Sequence, residues 1–270
     1  MKILKVISIN FLIFISTLLI IELIFGYWFD KDNLGPYMRE HRMKKNSISV
    51  KFNNINYDFI YKRNYYGFRG DEIELKDIKN VLIGGSTADE RYKPYKFTIT
   101  GLINKRLERE IGQKIVNAGI EGQSTRGHIF NFENWFSKLK EFNPNFFIFY
   151  IGMNDSLIDS NDNHEKILIG HVSNPSTLEF IKDNIKSRSV FYDYLRKTKH
   201  KYYLNKKKTI SYDFDHGIKN YTKKGFDFLN YEEAIKIYNI SELKKRNKKK
   251  IDNYLNNVDK LASLAKKYKA

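Results

Sequence analysis

Three short runs of β-prone apolar residues, each stopping at a glycine in a polar loop, constrain this chain more than any other feature. Val81-Leu82-Ile83 runs into Gly84-Gly85-Ser86-Thr87, and Lys114-Ile115-Val116-Asn117-Ala118-Gly119 into Ile120-Glu121-Gly122-Gln123-Ser124-Thr125. The third, Phe146-Phe147-Ile148-Phe149-Tyr150-Ile151, runs into Gly152-Met153-Asn154-Asp155. Continuous apolarity in the third run fits a central parallel strand buried on both faces. Between the runs the period changes to that of a helix. Ile99, Ile103, Leu107 and Ile111 form one stripe up to the stop signal Gly112, and Ile129, Phe132, Phe136 and Leu139 form another that should end before Asn143-Pro144. Strands alternating with helices predict a βαβαβ unit with right-handed crossovers, hence an α/β fold with a parallel sheet.

All three polar loops then open on one edge of the sheet, where open α/β folds bind ligands. A serine after a strand is, taken alone, most simply a helix cap. Ser86, Gly122 and Asn154 can nevertheless converge there, and acyl transfer is the chemistry that wants this trio. A hydroxyl attacks an ester carbonyl, and the developing oxyanion needs donors fixed beforehand. The Ser86 N–H, the Gly122 N–H and the Asn154 amide are such donors, and a residue without Cβ at 122 lets the backbone approach closely.

The amino terminus carries the topological signal. After Lys2 and Lys5, residues from Val6 to Trp28 are almost wholly apolar, broken by Asn10, Ser16, Thr17 and Glu22. That is long enough to cross a ~30 Å hydrocarbon core as a helix. There is no small-x-small cleavage site, so an uncleaved signal anchor is expected. The lysines favour the cytoplasm, Tyr27 and Trp28 suit the far interface, and the rest of the chain is expected outside the cytoplasm. Glu22 is expected near the interface and solvated, with an intramembrane partner as the alternative. Residues 1–5 would be a cytoplasmic tail, 6–28 the span, 29–75 an irregular stalk and lead-in, and 76–270 the α/β domain. Asn64-Tyr65-Tyr66-Gly67-Phe68-Arg69-Gly70 is the ordered part of the lead-in, an aromatic cluster expected to pack beside that domain.

The 270 residues, 41% of them hydrophobic, suffice for a real core; the absence of cysteine excludes disulfides and thiolate metal sites. No metal-ligand spacing falls on a convincing helix, so neither a metal nor a cofactor is expected. The net charge of +17 raises nucleic acid as a partner. The expected side of the membrane argues against it, and the lysine runs read as solvated faces or a field for acidic partners.

In these motifs the chain resembles the SGNH (GDSL-type) hydrolases. Gly84-Gly85-Ser86-Thr87 resembles their first block, with Gly85 where the name-giving Asp usually stands, Asn117-Ala118-Gly119-Ile120-Glu121-Gly122 the second, and Gly152-Met153-Asn154-Asp155 the third. The resemblance covers roughly residues 64–156. It implies a flavodoxin-like three-layer α/β/α fold, Ser86 as nucleophile, and an oxyanion hole from Ser86, Gly122 and Asn154. With the anchor and the Asn-x-x-Gly-Phe-Arg-Gly lead-in, the chain looks like membrane-tethered members associated with surface polysaccharide modification. An extracytoplasmic esterase acting on acylated carbohydrate or lipid is the expectation. The alternatives are an O-acyltransferase of surface polysaccharide and a non-catalytic glycan-binding or scaffold module.

The departure from the family is the base. Its Asp-x-x-His block has one literal match, Asp213-Phe214-Asp215-His216, which precedes no clear closing helix and reads as an exposed turn. His128, His164 and His171 are weaker candidates. A long amphipathic helix from Ser241, with Ile251, Leu255, Val258, Leu261 and Ala265 at helical spacing, runs almost to Ala270. In the family such a helix leads into another buried strand and then the Asp/His pair. The expectation is therefore a carboxyl-terminally incomplete domain, with the true pair beyond residue 270.

Overall fold

The computed structural model describes residues 2–29, 34, 38, 41–157, 177–205, 209–213 and 240–268. An apolar helix α1 (Lys2–Phe25) comes first, and its stretch Ile3–Phe25 is long and apolar enough to cross a membrane. None of that window is buried against the protein.

The stalk expected between the anchor and residue 75 is instead built around a β-hairpin. Strand β1 (Lys45–Phe52) pairs antiparallel with β2 (Ile55–Lys62), with Lys45 opposite Lys62 and Phe52 opposite Ile55. Asn53 and Asn54 link them, both at positive φ (50° and 60°), the two-residue turn that matches the natural strand twist. Ile48, Val50 and Tyr61 are buried on one face.

The lead-in is ordered, as expected. Asn64 closes it by exchanging hydrogen bonds with Phe68, and Gly67 at φ +91° leaves no room for a Cβ beside Met38 and Trp135. Phe68 is fully buried, its ring 4.9 Å from that of Trp135.

The α/β unit follows: β3 (Ile78–Gly84), a four-residue helix α2 (Ser86–Asp89), α3 (Ile99–Ile111), β4 (Lys114–Asn117), α4 (Thr125–Asn134) and β5 (Phe146–Tyr150). These strands form a parallel sheet in the order β4-β3-β5. Thr98 caps α3 through its side chain, and Gly112 ends it in the left-handed conformation at φ 64°. Beyond β5 lie α5 (Met153–Leu157), α6 (Thr177–Arg188), α7 (Val190–Asn205), β6 (Ile210–Asp213), α8 (Ile240–Arg246) and α9 (Lys248–Lys266). Strand β6 joins the hairpin parallel to β1, Ile48 opposite Ile210.

Helices cover both faces of the parallel sheet, unequally. On one face Val81, Ile83 and Val116 meet Phe132 of α4, Trp135, Phe136 and Leu139 of the 3-10 turn and its flanks that follow α4, and Leu261 of α9. On the other, among the described residues, Leu82 and Ile115 cluster with Ala88 of α2 and with Ile103 and Leu107 of α3, while Ile99 and Ile111 of the predicted stripe stay exposed. Strand β5 is not the central strand its composition suggests. Among the described residues it lies at the sheet edge, with Phe147 and Phe149 packed inward and Phe146, Ile148 and Tyr150 exposed. The carboxyl-terminal helix is likewise less continuous than its stripe: it is divided at Asn247, Ile251 and Leu255 are exposed, and the buried part is Leu261 and Ala265.

Candidate functional site

Strand β3 delivers Ser86 to the sheet edge through two glycines that have no steric alternative. A Cβ on Gly84 would lie 2.5 Å from the Tyr150 carbonyl oxygen, and one on Gly85 would lie 2.6 Å from Nδ2 of Asn154. The Gly85 carbonyl accepts from the N–H groups of Ala88 and Asp89, and Glu90 at φ 45° stops the helix after one turn. Ser86 is left exposed at the head of that turn.

The three strand-end loops interlock. Asn154 donates from Nδ2 to the Gln123 carbonyl at 2.8 Å while resting against Gly85. One residue either way therefore separates Asn154 from Ser86 and from Gly122. Gly122 stands at φ +79°. Asp155 fixes the neighbouring helix by accepting from Thr125 N at 3.1 Å and Thr125 Oγ1 at 2.5 Å. Asn257 of α9 reaches the same Thr125 Oγ1 at 3.0 Å. The three residues predicted from sequence are thus brought together. Neither the Ser86 N–H nor the Gly122 N–H donates to another described residue, so both stay available to a ligand.

Beneath the serine turn lies a buried polar cluster that sequence reasoning missed. Arg63 donates to Asp89 Oδ1 at 2.8 Å, to the Gly119 carbonyl at 2.5 Å and to the Gly67 carbonyl at 2.8 Å. Tyr61 donates to Asp89 at 2.9 Å and accepts from Arg63 Nε at 2.7 Å. Burial, opposed by Arg63 and reinforced by Asp89, pushes the Tyr61 phenol up to about 12, so it remains a donor. Arg69 binds the Asp89 and Lys93 carbonyls. Asn117 holds the second loop to the first, donating to the Ala88 carbonyl at 2.6 Å and accepting from Gly119 N at 2.8 Å. One guanidinium therefore joins the lead-in, the serine turn and the second loop. The available signal was Arg63 and Arg69 flanking Gly67-Phe68, cations beside residues that must be buried, which require partners.

Ser86 opens on a depression of about 350 Å³ lined also by Arg91, Tyr92, Glu121 and Tyr150. Arg91 and Glu121 bridge its rim at 3.1 Å. A larger cavity of about 620 Å³, between the lead-in and α3, is lined by Arg69, Tyr95, Asn104 and Lys114 and contains none of the trio. The smaller one is the candidate site because Ser86 lines it, with Glu121, the neighbour of Gly122, beside it; Gly122 and Asn154 themselves are not part of its lining.

Among the described residues no base stands beside Ser86. Ser86 Oγ makes no hydrogen bond to any described residue. His128 is fully buried inside α4 with both ring nitrogens unpaired, and burial pushes its pKa down to about 4. Asp213 ends β6 and faces Lys51 at 3.8 Å. His164, His171 and His216 lie outside the described residues. Among the described residues no cluster of three or more His, Asp or Glu could hold a metal ion. Comparison with protein-family models, with curated proteins and with solved structures finds no match.

Proposed function

We propose that this chain is a membrane-anchored serine ester hydrolase with an SGNH-type α/β/α domain, acting on O-acyl esters of carbohydrate or lipid. The observation that carries the reading is the Asn154 amide, wedged between Gly85 and the Gln123 carbonyl and so adjacent to both Ser86 and Gly122. In this reading the Ser86 oxygen attacks the acyl carbon and the carbonyl electrons move onto oxygen. The N–H groups of Ser86 and Gly122 and the second amide hydrogen of Asn154 receive that charge. Collapse breaks the ester C–O bond, the leaving alcohol carries away the proton shed by the Ser86 hydroxyl, and water then adds to the acyl-serine, one of its hydrogens restoring the Ser86 hydroxyl as the carboxylic acid departs. A sugar hydroxyl replacing that water would make the enzyme a transferase. With α1 as the span and Lys2 and Lys5 on the cytoplasmic side, the domain stands outside the cytoplasm at the inner membrane. Nucleic acid has no place in this reading.

One observation favours a second reading, a non-catalytic glycan-binding or scaffold module: no described side chain is hydrogen-bonded to Ser86 Oγ. Aryl acetate hydrolysis by the full chain in detergent separates the two. The hydrolase reading predicts turnover that Ser86→Ala reduces to background and Asn154→Ala lowers by about 100-fold or more. Turnover unchanged in both variants would remove the trio from the chemistry, and no turnover in the unmodified chain would favour the scaffold.

A further inference from the structure

Glu22 sits near the end of apolar helix α1 and is not left to solvent. Its carboxylate accepts from Trp28 Nε1 at 3.0 Å and from the Val190 N–H at 3.0 Å, so it caps the first turn of α7. The next contacts tighten the joint. Tyr27 N–H donates to the Arg188 carbonyl at 2.7 Å, where α6 ends, and the Tyr27 hydroxyl donates to Asp193 at 3.4 Å. The Arg42 guanidinium stands over the Tyr27 ring at 5.0 Å. The apolar span therefore runs into the α6–α7 corner by direct hydrogen bonds rather than through a loose stalk.

Among the described residues, that corner carries exposed apolar surface. In α6, Leu178, Ile181 and Ile185 follow one another at helical spacing and are 79%, 48% and 47% exposed. Ser187, on the opposite side of the helix, is buried, so towards its carboxyl end the stripe points away from the protein, while the first turn, including Phe180 at 56%, is exposed all round. Lys182 and Lys186 border it. In the first turns of α7, Phe191, Tyr194 and Leu195 are exposed at the same kind of spacing. The 23 residues of Ile3–Phe25 extend about 34 Å as a helix, enough for the hydrocarbon core, so residues 26–28 and the Arg188–Val190 corner fall at its edge.

We propose that α6 and the first turns of α7 lie in the interfacial layer of the membrane that α1 spans. The apolar stripe would enter the acyl boundary, and Lys182 and Lys186 would reach up to lipid phosphates. The occupant is the bilayer surface, argued from continuity with the span and from basic residues beside the stripe. The hairpin sheet, whose β1 packs on α7, is then held at a fixed height above the headgroups. This rests on α1 being a membrane span, and the test separates the two.

The chain has no cysteine, so single cysteines report cleanly. Ile13→Cys in α1, Ile181→Cys in α6 and Lys105→Cys on exposed α3 are each labelled with an environment-sensitive fluorophore. The full chain is placed in nanodiscs of phosphatidylcholine and phosphatidylglycerol, with and without doxyl-labelled lipid. The proposal expects positions 13 and 181 to lose most of their emission to the lipid quencher, and position 105 to keep its emission. Quenching at 13 without quenching at 181 overturns the proposal and leaves the span intact. Quenching at neither overturns the span reading and the proposal with it. A blue-shifted but unquenched label at 181 signals cover by protein, a second copy or another partner, and also overturns it.

Discussion

The two faces of the parallel sheet were built to different standards. The face of Val81, Ile83, Val116, Phe147 and Phe149 is closed by α4, α9 and an aromatic cluster in which Phe132 touches Phe136, Phe147 and Tyr268 with centroids 5.1, 5.0 and 6.0 Å apart. On the opposite face, among the described residues, Ala88, Ile103 and Leu107 pack against Leu82 and Ile115, and Phe146, Ile148 and Tyr150 of β5 are exposed. Tyr150, at the end of β5, also lines the depression beside Ser86. The closed face supplies the rigidity that holds three loops in register.

The sharpest way to break this comparison is to damage the closed face. Trp135 is fully buried and donates from Nε1 to the Tyr66 carbonyl at 2.7 Å, so it ties α4 to the lead-in as well as filling the core. Trp135→Ala should lower unfolding stability by about 3–5 kcal/mol, readable as a lowered denaturant midpoint. A loss under 1 kcal/mol would mean that the aromatic face is not what holds the domain together.

A second, pH-dependent effect comes from His128 in α4. Its folded-state pKa is pushed down to about 4 by burial, against an ordinary value of 6.5. As pH falls through 6.5 the unfolded chain takes up a proton that the folded chain refuses until about pH 4. Stability should therefore be fully present above pH 6.5 and decline towards pH 4, by about 3 kcal/mol at ~1.4 kcal/mol per pH unit. His128→Leu should flatten that part of the stability profile. An unchanged slope would assign the acid sensitivity elsewhere.

The smallest effect is expected on the opposite face. Ile148→Ser removes an exposed side chain from β5 and should change stability by no more than about 0.5 kcal/mol. A loss of 2 kcal/mol or more would show that Ile148 is covered in solution, and the contrast between the faces would disappear.

What was legible in the chain follows the same contrast between local and distant determinants. Strands β3 and β5 and the stop at Gly112 are local patterns that stand where their residues predict, whereas β4 ends at Asn117, two residues short of Gly119, and α4 ends at Asn134, leaving Phe136 in a 3-10 turn and Leu139 beyond it although both are buried as the stripe predicts. The hairpin was also written locally, in the alternation of Ser47-Ile48-Ser49-Val50 and the Asn53-Asn54 turn, but the surrounding Asn, Tyr and Lys residues masked it as a stalk. Strand β6 had no such local signature, because Ile210–Asp213 is a strand through parallel pairing with β1 more than a hundred positions earlier. Composition misled for β5, whose continuous apolarity suggests burial on both faces while Phe146, Ile148 and Tyr150 lie exposed. In the site, Ser86, Gly122 and Asn154 were legible as three strand-end motifs. Arg63 and Asp89 were not, because their pairing depends on a tertiary approach between the lead-in and the serine turn. Glu22 is not solvated as its sequence neighbours suggest: its partners, Trp28 and the first turn of α7, were invisible from those neighbours.

The most direct test of the central claim is covalent. A fluorophosphonate probe is incubated with the full chain in membranes, and the adduct is located by peptide mass analysis. An activated Ser86 predicts one adduct on the peptide containing Gly84-Gly85-Ser86-Thr87, abolished in Ser86→Ala and weakened in Asn154→Ala. Equal labelling of the unmodified chain and Ser86→Ala, or no labelling of the unmodified chain, would contradict it.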